Sequence, residues 1–214
     1  MKSKSSSIFI HMKSSLLEQY VGMLVESELT ELAREPFSLD SLKGINNPKQ
    51  LMKVLGQQFG PPIGGGVARV AYAYGNNQVL KVAYAGGDAA EHNKKEVKNA
   101  ACLGKQYAIQ VYDWDKENFL WIVEERVQKT TIEQLETKFQ ELAGIPLDIE
   151  QIRDLFARSP DMQNVHQHLY GKSKWYSGLA DKLKSCNAGA EDFHQNNWGI
   201  RQSTGELVLL DLGF

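Results

Sequence analysis

From Ser14 to Arg34 the apolar residues Leu16, Leu17, Tyr20, Val21, Leu24, Leu29 and Leu32 recur every three or four positions, which predicts an amphipathic helix ending before Pro36. Asn47 and Pro48 make a cap and first-turn pair, and Leu51, Met52, Val54 and Leu55 form the apolar face of a helix predicted over 48–58. GPPIGGG breaks that helix, and the period then drops to two. VARVAYAY and QVLKVAYA predict two strands in a tight hairpin about GNN, because Gly and Asn tolerate positive φ. A helix predicted over 89–103 separates them from a second hairpin, IQVYDWD and FLWIVEERV, about a KEN turn. TIEQLETKFQELAG predicts a helix opening at Thr130 or Thr131 and stopping at Gly144, and 148–158 and 173–186 are predicted helices too. The tail returns to short strands, WGIRQ and LVLLDLGF.

Composition narrows the class. With 214 residues and 42% apolar content the chain can bury a core, as one large domain or two small lobes. A net charge of −2 supplies no basic field for nucleic-acid phosphates, so no nucleic-acid partner is expected. Cys102 and Cys186 match no metal or redox spacing, and the expectation is two buried thiols in a reducing compartment. The apolar run IFI near the start is too short for a signal peptide or a membrane span, so no membrane association and a cytoplasmic location are expected, with Met1 and Met12 both candidate starts. His166 and His168, two apart on a helix, face different ways and read as surface residues, not a metal pair. The four tryptophans read as core, with Trp198 shaping the strand that begins there.

The chemistry concentrates in the last 25 positions. In DFHQNN and LLDLGF, Asp192 precedes Asn197 by five positions and Asp211 by nineteen. A carboxylate that receives a hydroxyl proton, together with hard oxygen ligands for magnesium, is what phosphoryl transfer requires. These segments resemble the catalytic loop and metal-binding DFG segment of the protein-kinase superfamily. His194, two after Asp192, makes the loop more similar to the DxHxxN of aminoglycoside and choline kinases. Upstream, Gly64, Gly65, Gly66 and Arg69 resemble a GxGxxR form of the kinase glycine loop, whose backbone N–H groups can approach phosphate because glycine carries no side chain. Lys81 in LKVA resembles the strand lysine, Glu96 its helical ion-pair partner with Glu91 as a competitor, and Glu124 to Val127 the hinge that pairs with an adenine edge. Taken singly, the glycines read as a flexible turn and Lys81 as an exposed strand lysine.

The set of motifs is similar to small kinase-like proteins of tailed bacteriophages, over roughly residues 60 to 214. That resemblance implies an α+β, protein-kinase-like two-lobed fold with a small antiparallel sheet lobe and a truncated, mainly helical second lobe. The expected divisions are an N-terminal helical extension at 1–59, a sheet lobe at 60–127 and a helical lobe at 128–214. It further implies ATP and Mg2+ as cofactors, Asp192 and His194 as catalytic residues, Asn197 and Asp211 as metal ligands, and phosphoryl transfer to a small-molecule or protein acceptor, in the host cytoplasm if the chain is viral. Two features depart from the family. Ala190 and Glu191 stand where the HRD or HGD start is usual, and the sequence given runs only three residues past Asp211. A pseudokinase that binds nucleotide or acts as a scaffold is therefore the rival reading, and an unrelated α+β protein a third, distinguished by whether Lys81 and Asp211 converge. The helices predicted at 14–34 and 48–58 are expected to pack on the domain as cover for its core.

Overall fold

The computed structural model describes residues 37–66, 68–84, 86–188 and 193–212. The chain divides into two units, 1–43 and 44–214. In the first, a 3-10 turn at Leu39–Leu42 is capped by the Ser38 side chain; the helix expected at 14–34 lies outside the described residues.

The second unit starts with α1 (Pro48–Phe59), capped by the Asn47 side chain with Pro48 in its first turn. Five strands follow: β1 (Gly64–Gly65), β2 (Arg69–Tyr74), β3 (Gln78–Ala83), β4 (Val111–Trp114) and β5 (Trp121–Glu125), with α2 (Gly86–Leu103) between β3 and β4. They form one antiparallel sheet in the order β1-β2-β3-β5-β4. The β2–β3 turn holds Gly75 at φ 57°, the positive value that the GNN sequence predicts.

Side chains alternate across a strand, which decides what covers each face. Tyr72 and Tyr74 of β2 meet the Phe59 ring of α1, at centroid separations of 6.4 and 5.9 Å. Arg69, on the other face of β2, meets Asn93 and Glu96 of α2. The sheet is therefore held between two helices, and β5, inside it, is buried along its whole length. The helix predicted over 48–58 does pack on the domain.

The rest is mainly helical: α3 (Ile132–Ala143), α4 (Ile149–Phe156), α5 (Gln163–Lys172) and α6 (Lys174–Cys186). Thr131 with Gln134, and Asp148 with Gln151, close capping boxes on α3 and α4, while Gly144 ends α3 in the left-handed region at φ 84°. A second sheet joins β6 (Gln128–Lys129), β7 (Trp198–Ile200) and β8 (Leu207–Leu209). The expected α+β class is thus present, a small antiparallel sheet lobe with a helical second part. Its core runs from α2 through α3 to α6 and into β8, with Trp198, Tyr176, Phe139 and Phe193 fully buried. Among the described residues no helix is long and apolar enough to cross a membrane.

The cysteine expectation is corrected. Cys102 and Cys186 form a disulfide across 84 positions, with Cα atoms 5.8 Å apart. The C-terminal ends of α2 and α6 lie side by side, an adjacency that sequence separation hides, and the cysteine argument for a reducing compartment falls with it. His166 is likewise half-buried and bonded to Tyr176 instead of lying free on the surface.

At Gly199 in β7 an added Cβ would stand 2.6 Å from Val127 Cγ2, 2.8 Å from Leu210 Cδ2 and 3.1 Å from the Gln128 carbonyl. Gly199→Ala is expected to cost about 1–3 kcal/mol by overpacking, read as a lower urea midpoint at unchanged slope.

Candidate functional site

Strand register gathers the first three charged groups. Lys81 on β3 pairs with Ala71 on β2 and with Ile122 on β5. Arg69 lies two residues before Ala71 and Glu124 two after Ile122, so a period of two puts Arg69, Lys81 and Glu124 on one sheet face. Helix α2 covers that face with Asn93, Glu96 and Asn99, polar residues three apart along one side, each of them buried.

Lys81 Nζ stands 2.8 Å from Glu96 Oε1 and 2.7 Å from Glu124 Oε1. Arg69 donates through Nη1 to Glu96 Oε2 and to Asn93 Oδ1, and through Nη2 to Asp211 Oδ1 at 2.5 Å. Asn93 Nδ2 donates to the Phe119 carbonyl at 2.7 Å, and Asn99 Nδ2 to that of Leu212 at 2.8 Å, which fastens the segment carrying Asp211 to α2. The Leu210 N–H donates to the Asn197 carbonyl at 2.9 Å, so Asn197 and Asp211 stand next to each other at the end of the β7–β8 hairpin. Lys81 and Asp211 therefore converge.

Burial alone would lower the affinity of Lys81 and Arg69 for their protons. Glu124 and Glu96 around Lys81, and Glu96 and Asp211 around Arg69, outweigh burial and hold both cations firmly charged. Burial pushes the Glu124 carboxyl well above the ordinary range, opposed by Lys81 and helped by the neighbouring Glu96 charge. Ionised, Glu124 would give this buried cluster three carboxylates against two cations, and its Oε2 would have no donor to accept from. Protonated, the Glu124 carboxyl can donate to Glu96, and the charges balance. Above the ordinary carboxylate range the folded state keeps a proton that the unfolded state has lost, so this group makes stability fall as pH rises. Glu124→Gln, which keeps a donor and an acceptor, is expected to abolish that slope, read from urea midpoints of both proteins between pH 5 and 8.

The remaining sequence candidates are placed as follows. Gly64 and Gly65 form the edge strand β1 against Ala71 and Val70, and the Gly66 N–H donates to the Arg69 carbonyl at 2.8 Å, so this stretch is the hairpin arm over the sheet end. Tyr84 donates to the Gly66 carbonyl at 2.7 Å. His194 is exposed, and its Nδ1 accepts from the Asn196 N–H at 3.2 Å as the cap of a 3-10 turn at Gln195–Asn197. Glu91, the competitor to Glu96, is exposed and pairs with Lys94. Of the hinge stretch, the Glu125 N–H donates to Gln110 and the Arg126 N–H to Asn77, leaving Val127 as the position beyond them; its side chain packs against Ile109, Val208 and Leu210. Glu125 is fixed by Arg201, whose Nε donates to its Oε1 at 2.7 Å. Asp192, with Ala190 and Glu191 before it, lies outside the described residues.

Sequence reasoning missed Asn93, Asn99 and the side-chain role of Glu124. The first two were findable, since they stand three positions to either side of Glu96.

A carboxylate and an amide oxygen carried by adjoining stretches of main chain are donors of the kind that suits magnesium, which takes few protein ligands and completes its shell with water and nucleotide phosphates. Among the described residues no cluster of three or more His, Cys, Asp or Glu side chains is arranged to hold a metal alone.

No protein-family model matches the chain, and no curated protein matches it. Solved structures do. A GDP complex of an aminoglycoside 2'-phosphotransferase-IIIa mutant is 10% identical, over 78% of this chain and 72% of that one, with a TM-score of 0.40. A GDP and kanamycin complex of APH(2")-IIia is 12% identical over 77% and 72%, at 0.37. SAICAR-synthase from Saccharomyces cerevisiae complexed with SAICAR is 10% identical over 71% and 72%, also at 0.37. Likenesses this distant do not bear on the chemistry of the site.

Proposed function

We propose that the chain is a kinase-like phosphotransferase that binds ATP with magnesium and transfers the terminal phosphoryl group to a hydroxyl. The observation that carries this reading is the convergence of Lys81, Glu96, Arg69 and Asp211, drawn from β3, α2, β2 and the segment after β8. Lys81, held by Glu96, would clamp the phosphates, and the arm at Gly64 to Gly66 would cover them. Asn197 and Asp211 would hold magnesium, which neutralises charge on the phosphates. Asp192 is assigned on sequence spacing as the group that takes the acceptor's proton as the new O–P bond forms and the β–γ bridging oxygen leaves, with His194 beside it. Val127 is the hinge position whose main chain would meet the base.

A second reading, nucleotide binding without transfer, is favoured by one contact. Arg69 occupies the Asp211 carboxylate at 2.5 Å, where a metal would have to compete.

Calorimetric titration of ATP with and without magnesium, on the wild type and on Asp211→Ala, tests both. Transfer predicts magnesium-dependent binding that weakens at least about tenfold in the variant. Binding indifferent to magnesium and to the substitution selects the second reading, and no binding by the wild type removes both.

A further inference from the structure

A cavity of about 290 Å³ opens among the C-terminal end of α4, α5 and the C-terminal half of α6, sharing no residue with the Lys81 cluster. Leu155, Phe156, Ala180 and Leu183 give it apolar walls, and Arg158, Lys184, His166 and Tyr176 line it as well. Among the described residues no carboxylate lines it, and neither Arg158 nor Lys184 enters an ion pair.

We propose that this cavity binds a small organic anion, a phosphate or carboxylate head on an apolar body. Two cations with no ion pair among the described residues, beside an apolar wall, suit that chemistry, and the volume lies just below the range of ligand pockets, about 300 to 1,000 Å³, which fits a small ligand. The same electrostatics disfavour a polycationic ligand.

The polar groups are already arranged. The Tyr176 hydroxyl lies 2.6 Å from His166 Nδ1. Burial raises the Tyr176 pKa and lowers that of His166, with Arg158 adding to the second effect, so a protonated tyrosine donates to Nδ1 of a neutral ring and Nε2 carries the hydrogen. Arg158 is, moreover, in the left-handed region at φ 57°, and Asn187, also lining the cavity, at φ 48°. Both are left-handed helix endings, closed by the Ser159 N–H donating to the Asp154 carbonyl and the Ala188 N–H to that of Leu183, and these endings set Arg158 and Asn187 at the cavity.

The test follows the His166 ring by NMR in the whole chain while phenyl phosphate, benzoate and, as the uncharged control, benzyl alcohol are titrated in turn. At least one anion is expected to move the His166 resonances saturably at concentrations about tenfold below any effect of benzyl alcohol. Arg158→Gln and Lys184→Gln, both exposed and outside the nucleotide cluster, should keep a folded spectrum and weaken that response at least about tenfold each. Absence of a saturable His166 response to either anion overturns the proposal, as does wild-type titration by both variants. Anion binding in the Lys81 cluster would survive both substitutions without moving His166, so this outcome stays separate from the nucleotide reading.

Discussion

Arg69→Met is expected to lower the unfolding free energy by about 3–5 kcal/mol, because it removes a cation from a buried charge set and leaves the carboxylates facing it undercompensated. Glu96, with no exposed side-chain surface, would keep Lys81 alone, and Asn93 and Asp211 would each lose a donor. Arg69→Lys should fall between methionine and the wild type. One ammonium retains the charge but cannot repeat the fork, in which Nη1 serves Glu96 and Asn93 while Nη2 serves Asp211. Pairing Arg69→Met with Glu96→Gln should recover part of the loss, since the buried negative charge that Arg69 balanced is then gone. Urea unfolding of the four proteins decides the matter, and a cost below about 1 kcal/mol for Arg69→Met would show that the cluster does not hold the fold.

Reduction of the Cys102–Cys186 bond, or its replacement by two serines, is expected to cost a comparable amount. Closing a loop across 84 residues removes unfolded-state entropy equivalent to about 4–5 kcal/mol in the chain-entropy treatment, and losing native disulfides typically costs about 2–5 kcal/mol. The urea midpoint should drop on adding a phosphine reductant to the wild type and stay unchanged in the Cys102→Ser, Cys186→Ser protein. Two titratable thiols in the denatured, unreduced wild type would show that the bond does not form.

Local signals were legible in the sequence. Asn47-Pro48, Thr131 with Gln134, Asp148 with Gln151, and GNN each fix an element boundary through interactions within four residues, and those boundaries match to within one or two positions. The bounds of helix α5, which the sequence reading placed only at His166 and His168, escaped because its face is sparse, with Leu169 its one buried residue, and β6 escaped because two residues carry no period. The candidate site was legible where a motif names its residues, as at Lys81, Glu96 and Asp211. It was not legible where tertiary packing assigns the role: Glu124 reads as hinge main chain until the β3–β5 register turns its carboxyl toward Lys81. The disulfide failed for the same reason, since only the packing of α2 on α6 brings its halves together.

Helix α2 is pinned at one end. Cys102 ties its last turn to α6, while Asn99, Glu96 and Asn93 hold partners progressively farther from that tie, about 4, 9 and 13 Å along the axis at 1.5 Å per residue. Any swing of the helix about Cys102 would therefore displace Asn93 about three times as far as Asn99. A swing about that tie would strain the Asn93 contacts with Arg69 and the Phe119 carbonyl most, the Glu96 contact with Lys81 less, and the Asn99 contact with the Leu212 carbonyl least.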